Sequence, residues 1–439
     1  MPASLREQGQ EQFAQGHFEP ALALLAEAVR RTPGDHRSRL LAGRCLVEMG
    51  ERERALTVFH TAAEGLLGRD YLLSAIAACK LAFRLNPVEK RVVDTLRRIH
   101  ARASATAAGR AAGPPPAPLE ALFDSPGDSD LSTLQGEELA DRAFEALASP
   151  DPGAHADPNA RPPLPLFADL ESEAFVELCQ RMTYREVAEG DYICREGDGG
   201  ETIFILVAGK AEVVRSVAGE EKTLAFLTGG ALLGELAVIL GAPRGASVAC
   251  VAACDVFEIS RDDLNLVGKS HPSVPRALAE FAQKRMAKNL LATAPLFLGL
   301  PEGQRAEVLS RFTPRVLAPQ ERVLTEGEVS PGLFLVLAGE LVVQKKDSSS
   351  TGVVTLGTLH EGDVAGEISL LTHLPATATV TATRKTAAAF LAHERALVLV
   401  REFPAARQYL EALSQRRLLG ITAAVLPAEV LDADELIVE

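Results

Sequence analysis

A short stretch in the second half of the chain combines glycine, glutamate and arginine at a spacing suited to phosphate binding. Gly234-Glu235-Leu236-Ala237 is followed, after six residues, by Arg244-Gly245-Ala246-Ser247. An arginine offers a planar fork of N–H groups that fits phosphate oxygens. Glycine lets the backbone approach a ligand closely, and N–H groups at the start of a helix point at an anion. Residues 234–247, called here the first cassette, therefore predict a site for one small phosphate-bearing ligand.

The other residues of the first cassette have possible roles around the same anion. Glu235 could accept a hydrogen bond from a sugar hydroxyl, or it could hold Arg244 or a backbone donor in place. Gly245 and Ala246 are small, so their backbone N–H groups could reach the anion. The candidate ligand-binding residues are Gly234, Glu235, Leu236, Ala237, Arg244, Gly245, Ala246 and Ser247.

The cassette occurs a second time, about 130 residues later, but without its arginine. Gly366-Glu367-Ile368-Ser369 repeats the first half, and Ala376 occupies the position of Arg244. Hydrogen bonds to charged groups contribute about 1.5–3 kcal/mol each. We therefore expect this second site to bind a phosphate weakly or not at all. Arg384 could compensate only if its strand faced the site.

The elements around both cassettes repeat at the same interval. Residues 204–209 return as residues 334–339, and each copy has a helical start, short apolar runs broken by glycine turns, and a closing helix. This pattern is typical of a β-jelly roll with flanking helices. We expect one domain over residues 164–292, a second over 293–420, and an acidic, apolar tail over 421–439.

The first cassette resembles the signature of the cyclic nucleotide-binding domain family. That signature is Gly-Glu-Leu/Ile-Ala/Ser, then a spacer, then Pro-Arg-x-Ala-Ser/Thr-Val. The resemblance implies that Glu235 binds the ribose 2′-hydroxyl and that Arg244 binds the cyclic phosphate. In the family, threonine directly after the arginine tends to accompany cyclic GMP. Gly245 has no hydroxyl, which slightly favours cyclic AMP.

The first hundred residues repeat at a spacing of 34. Gly9 returns as Gly43, Gly16 as Gly50, and Leu25 as Phe59. Small residues at these offsets, with a closing proline, resemble the tetratricopeptide repeat. We therefore expect helical hairpins over residues 1–103. Stacked hairpins form a curved surface that usually binds a protein or peptide. The alternative is a capping or dimerising bundle with no partner in its groove.

Residues 104–163 have the composition of a linker. Eleven of the chain's 26 prolines lie between Pro114 and Pro165, and residues 111–118 predict a stiff, extended spacer. Residues 131–148 could form one short helix, with Leu139, Ala143, Phe144 and Leu147 on one face. Two interpretations remain open for this helix. It could dock on a partner or a neighbouring domain, or it could form only transiently.

Composition excludes several classes of function. The net charge of −14 argues against a nucleic-acid-binding protein, which needs a concentrated basic face. Neither a metal-ligand cluster, a catalytic constellation nor a membrane-spanning run is apparent, so we expect no enzyme, no cofactor and no metal. The six cysteines form no C-x-x-C pair. With no secretory signal visible, the cytoplasm is the expected compartment, and the Arg- and Ala-rich composition is compatible with a bacterial source.

The sequence as a whole therefore predicts a multidomain α + β protein. Its function is expected to be that of a non-enzymatic cyclic nucleotide sensor, which binds cyclic AMP or cyclic GMP in the first jelly roll. The helical repeats would relay binding to protein partners. The alternative is a constitutive interaction scaffold whose nucleotide-binding folds carry no ligand. Residues 97–100 and the linker lack an Arg-Arg-x-Ser/Ala inhibitor segment, so kinase inhibition is not predicted.

Overall fold

The computed structural model describes most of the chain. The described residues are 4–107, 131–151, 165–217, 220–347 and 352–425. Their contacts form two compact units. The first unit contains Met1–Glu235 and Arg244–Leu278, and the second contains Leu236–Pro243 and Ala279–Glu439.

Six helices build the N-terminal part of the first unit, each in contact with the next. They are α1 (Leu5–Ala14), α2 (Phe18–Arg31), α3 (His36–Glu48), α4 (Arg52–Gly68), α5 (Leu72–Leu85) and α6 (Lys90–Ala107). Gly16 and Gly50 lie in the turns after α1 and α3, with φ angles of 79° and 88°. A left-handed backbone at these turns favours glycine. The predicted helical hairpins are therefore confirmed, and the last helix extends to Ala107.

The spacing of 34 residues reflects one contact that occurs twice. A Cβ atom on Gly9 would lie 2.7 Å from Cγ of Leu25, and one on Gly43 would lie 2.5 Å from Cε1 of Phe59. Both distances are shorter than van der Waals contact. Glycine at these two positions therefore lets the paired helices approach closely enough for Leu25 and Phe59 to be buried.

Part of the Pro-rich region packs on these helices. A 3-10 turn (Leu131–Thr133) precedes α7 (Gly136–Ala148), and α7 contacts α2, α3 and α4. Leu139, Ala143 and Leu147 are buried, as expected for one apolar face, whereas Phe144 is only partly buried. The structure thus favours docking on a neighbouring domain over a transient helix. Residues 111–118, the expected spacer, lie outside the described residues.

The rest of the first unit is a jelly roll with flanking helices. It begins with α8 (Pro165–Ala168) and α9 (Ser172–Arg181). The strands are β1 (Thr183–Val187), β2 (Tyr192–Cys194), β3 (Thr202–Ala208), β4 (Lys210–Val217), β5 (Glu220–Thr228), β6 (Leu232–Leu233), β7 (Ser247–Cys250) and β8 (Cys254–Ser260). All described pairings are antiparallel, in two sheets ordered β1-β8-β3-β6 and β2-β7-β4-β5. Apolar residues between the sheets, including Leu206, Val248 and Val256, form the core.

Three further helices accompany this jelly roll. They are α10 (Glu235–Leu240), α11 (Arg261–Ser270) and α12 (Ser273–Thr293). The division between the two units falls within α10 and within α12. The helix start of α10 coincides with Glu235 of the first cassette, as the sequence predicts.

The helical repeats contact the jelly roll directly inside the first unit. Nζ of Lys80, on α5, donates to the carbonyl of Gln180 at 2.7 Å. The ring of His100, on α6, lies 5.1 Å from the ring of Phe175. These contacts join α5 and α6 to α9, so the repeats and the first jelly roll pack against each other.

The second unit contains another jelly roll. Its helices are α13 (Pro295–Leu298), α14 (Glu302–Ser310), α15 (Glu367–Thr372), α16 (His393–Glu402) and α17 (Pro404–Val425). Its strands are β9 (Thr313–Leu317), β10 (Arg322–Leu324), β11 (Gly332–Ala338), β12 (Leu341–Lys346), β13 (Val353–Leu359), β14 (Val364–Ala365), β15 (Thr379–Ala382) and β16 (Thr386–Ala392). The sheet orders, β9-β16-β11-β14 and β10-β15-β12-β13, repeat those of the first jelly roll. The predicted fold class, helical hairpins followed by two jelly rolls, is confirmed.

Candidate ligand-binding site

Arg244 lies in the loop before β7, with only 5% of its surface exposed. Its Nη1 donates to the carbonyl of Gly234 at 3.2 Å, and its Nη2 donates to the carbonyl of Thr202. Nε is buried and has no hydrogen-bond partner among the described residues. The guanidinium also lies over the ring of Phe204, 5.0 Å from its centre. Arg244 is therefore a buried cation with spare donor capacity.

Burial lowers the pKa of the Arg244 guanidinium below its ordinary value, while nearby acidic groups raise it. Arginine ordinarily loses its proton only above about pH 12, so the side chain keeps its charge at neutral pH. A buried charge is costly unless it is paired. An anion within reach of Arg244 would reduce this cost.

Gly234 and Glu235 lie against Arg244 at the start of α10. Gly234 has a φ of 78°, and a Cβ atom at this position would lie 2.0 Å from Nη1 of Arg244. Only glycine therefore combines this backbone conformation with space for the guanidinium. Glu235 is 2% exposed, and its charge raises the pKa of Arg244.

The end of the first cassette is fixed by a turn between β2 and β3. The N–H of Gly197 donates to the carbonyl of Arg244, and the N–H of Arg244 donates to the carbonyl of Asp198, both at 2.9 Å. Oγ of Ser247 accepts from the N–H of Glu196 at 2.9 Å. The turn at residues 196–198 therefore positions the loop that carries Arg244.

Six of the eight predicted site residues belong to the first unit: Gly234, Glu235, Arg244, Gly245, Ala246 and Ser247. The carbonyl of Gly245 accepts from Nε of Arg215 at 2.9 Å, and Gly245 is exposed. Leu236 and Ala237, the other two, belong to the second unit. There Leu236 packs with Met286 of α12 against Ala242, Ala338 and Ala387.

The second jelly roll contains a cavity of about 540 Å³ at the repeated cassette. Residues from the cassette, from β13 and from α17 line it, and these include Glu367, Ala376, Arg416 and Arg417. Glu367 is 2% exposed. The structure therefore keeps the counterpart of Glu235 buried beside a cavity, although the counterpart of Arg244 is absent.

A serine takes over one contact of the missing arginine. Ala376 packs in an apolar cluster with Phe334 and Val380. Oγ of Ser330 donates to the carbonyl of Gly332 at 3.1 Å, and this carbonyl corresponds to that of Thr202, which accepts from Arg244. The second jelly roll thus satisfies this carbonyl with a neutral hydroxyl.

Two arginines that line the second cavity, Arg416 and Arg417, are not predicted from the sequence, which points only to Arg384. Nη2 of Arg384 lies 3.9 Å from Oε2 of Glu340, and Arg384 is not among the residues that line the cavity. Arg417, on α17, instead pairs with Glu367. The positions of Arg416 and Arg417 in the sequence, far from the second cassette, do not indicate that they line this cavity.

The described residues form neither a metal-ligand cluster nor a disulfide. These residues include no group of three or more His, Cys, Asp or Glu that could hold a metal ion. The six cysteines are unpaired, and Cys250 and Cys254 are both buried. No described helix is both long enough and apolar enough to cross a membrane.

Family models match three regions of the chain. The cyclic nucleotide-binding domain model matches residues 184–271 and 314–403, and the tetratricopeptide repeat model matches residues 12–79. Both resemblances drawn from the sequence are thereby confirmed. The second match includes the domain that lacks the arginine.

The chain is also similar to curated regulatory proteins. It is 31% identical over 222 residues to a cAMP-dependent protein kinase regulatory subunit of Yarrowia lipolytica, covering 50% of this chain and 54% of that protein. It is 26% identical over 222 residues to the regulatory subunit of Blastocladiella emersonii, covering 50% and 53%. The chain therefore spans about half the length of the curated relatives it matches. These organisms are eukaryotes, and the bacterial source stays a prediction.

A solved structure of the regulatory domain of Toxoplasma gondii PKA with cAMP is 24% identical to this chain. It covers 57% of this chain and 91% of its own, with a TM-score of 0.27.

Proposed function

Because the chain contains two cyclic nucleotide-binding domains and a tetratricopeptide-like region, we propose that it is a non-enzymatic cyclic nucleotide sensor. Its first domain binds the nucleotide, and its helical repeats contact a protein partner. The observation that carries this proposal is Arg244, a buried cation with an unpartnered Nε beside buried Glu235. Such a pair suits a ligand that presents an anion and a hydroxyl together.

In this proposal the cyclic phosphate binds Arg244, and the ribose 2′-hydroxyl donates to Glu235. Two backbone carbonyls, those of Gly234 and Thr202, already orient the guanidinium, so little ordering is needed on binding. The absence of a hydroxyl at Gly245 favours cyclic AMP over cyclic GMP. The compartment in which this occurs is expected to be the cytoplasm.

The second domain is proposed to bind cyclic nucleotides weakly or not at all. Ala376 offers no charge to a phosphate, and it is packed among apolar side chains. Glu367 is already paired with Arg417, so a ribose hydroxyl would compete with a charged donor. The second domain would instead serve as a platform within its unit.

Two sets of contacts support a relay of the binding event. Leu236, which follows Glu235, packs with Met286 of α12. A change in the conformation of the first cassette would therefore change the packing of that helix. Lys80 and His100 join the repeats to α9 of the nucleotide domain. We propose that nucleotide binding shifts the population of these packed arrangements by its differential affinity for them.

Calorimetric titration of the purified chain with cyclic AMP and with cyclic GMP tests the proposed function. We expect one site per chain, lost in Arg244→Ala and unchanged in Arg384→Ala, which removes an arginine outside both cassettes. Two sites per chain would contradict the proposed role of Ala376. An absence of heat and of any thermal shift with either nucleotide would overturn the sensor and favour the constitutive scaffold.

A further inference from the structure

Residues 131–151, called here the self-docking segment, cover part of the helical repeats. Leu131, Leu139, Ala143 and Leu147 are at most 6% exposed, and the segment contacts α2, α3 and α4. Three of these side chains recur every four residues along α7. The segment therefore binds the repeats as an amphipathic helix binds a groove.

A carboxylate anchors the end of the self-docking segment. Oδ2 of Asp151, three residues after the end of α7, accepts from Nε of Arg69 at 2.6 Å and lies 3.1 Å from Nε2 of His36. The Asp151 side chain is 2% exposed. Nη2 of Arg39 donates to the carbonyl of Ser149 at 3.1 Å. The repeats thus recognise both an apolar face and a buried anion.

The helix-binding surface, formed by α2, α3 and α4 with His36, Arg39 and Arg69, has more donors than this segment uses. Arg39 is fully buried, and its Nε and Nη1 have no hydrogen-bond partner among the described residues. Nδ1 of His36, which is an acceptor when Nε2 donates to Asp151, also has no hydrogen-bond partner among the described residues. Buried polar groups are normally satisfied. The segment is therefore an incomplete ligand for this surface.

Covalent connection explains how an incomplete ligand can occupy the surface. The segment is joined to the repeats by residues 108–130, so its docking is intramolecular and is favoured by a high effective concentration. A separate protein has no such advantage and must make better contacts. A second carboxylate that reached Arg39 would provide such a contact.

We propose that the helix-binding surface is the site at which the repeats bind their partner, and that the self-docking segment competes with that partner. The partner carries an amphipathic helix with apolar residues every four positions, followed by acidic residues. This inference rests on the partner-binding role in the proposed function, and it is independent of nucleotide binding.

The test uses the full chain and a fluorescent synthetic peptide of residues 131–151. Leu139→Asp with Ala143→Asp places two charges on the buried face of α7 and should release the chain's own segment. We expect this variant to bind the peptide at least ten-fold more tightly than the unmodified chain, by fluorescence anisotropy without nucleotide. Arg142→Asp reverses a charge on the exposed face of the same helix and should leave peptide binding as it is.

Two further variants test whether binding of the peptide depends on the contact between Arg69 and Asp151. Arg69→Glu, added to the released variant, should abolish binding of the peptide, because it replaces the cation that pairs with Asp151 by a second carboxylate. If the double substitution prevents folding, Asp151→Lys offers a second way of releasing the segment. This variant should also bind the peptide more tightly than the unmodified chain. Equal affinity in the released and unmodified chains, or binding that ignores Arg69→Glu, would overturn the proposal. Since no nucleotide is present, a failed nucleotide titration would not affect this outcome.

Discussion

Arg417 and Glu367, fifty residues apart in sequence, form an ion pair at the second cavity. Nη1 of Arg417 lies 2.9 Å from Oε1 of Glu367 and donates to the carbonyl of Val364 at 2.6 Å. The Glu367 side chain is 2% exposed and that of Arg417 is 26% exposed. Helix α17 is thereby attached to the residue that corresponds to Glu235 in the first domain.

Replacing Arg417 by glutamine should destabilise the second domain. The change leaves the Glu367 carboxylate buried without its cation, and a hydrogen bond to a charged group contributes about 1.5–3 kcal/mol. Urea unfolding of Arg417→Gln, Glu367→Gln and the double variant should give a coupling free energy in this range. Arg407→Gln, in an exposed pair on the same helix, should change stability by less than about 0.5 kcal/mol. Additive effects of the two substitutions would contradict the coupling.

Gly234→Ala should reduce nucleotide binding in the first domain. The new Cβ atom would lie 2.0 Å from Nη1 of Arg244, so the guanidinium must move. Gly190→Ala is a matched control, because Gly190 has a φ of 84° and nothing lies within 4 Å of its added Cβ. Both variants should lose about 1–2 kcal/mol of stability from the left-handed backbone. Only Gly234→Ala should lower nucleotide affinity by calorimetry; an equal effect in Gly190→Ala would refute this explanation.

Two substitutions should create a second nucleotide site. Ala376→Arg restores the cation, and Ser330→Gly frees the carbonyl of Gly332 to accept from it, as Thr202 does for Arg244. We expect calorimetric stoichiometry with cyclic AMP to rise from one to two sites per chain. Ala376→Arg alone should bind less well, because the carbonyl remains occupied. Unchanged stoichiometry in the double variant would contradict the explanation that the missing arginine prevents binding in the second domain.

Stability should fall in mildly acidic solution because of His36. Burial and the charges of Arg39 and Arg69 lower the pKa of His36 from 6.5 to about 4, although Asp151 raises it. The folded state therefore binds this proton less readily than the unfolded state, so stability is lost as pH falls from about 6.5 to about 4. At pH 5 the loss is roughly 2 kcal/mol. Urea unfolding at pH 7 and pH 5 should show a smaller pH dependence in His36→Gln; equal dependence would exclude His36 as the cause.

Much of this protein could be predicted from local sequence. The two spacings, 34 and about 130 residues, indicated the helical hairpins and the two jelly rolls, because small residues and glycine turns recur wherever the same contact recurs. The first cassette could be located for a similar reason. Its glycine, glutamate and arginine lie within fourteen residues, and the loss of the arginine at Ala376 is a change of one residue type.

Tertiary structure determined the contacts between residues that lie far apart in the sequence. Arg417 contacts Glu367, which lies fifty residues earlier in the sequence. Asp151 contacts Arg69 and His36, which lie 82 and 115 residues earlier. Ser330 makes a contact that an arginine at position 376, 46 residues later, would otherwise make. Periodicity determines which face of a helix or strand is apolar, but not which distant element covers it. A polar side chain pairs with whatever packing brings within about 3 Å. The sequence therefore determined the fold class and the first cassette, whereas chain packing determined what lines the second cavity and what covers the surface of the repeats.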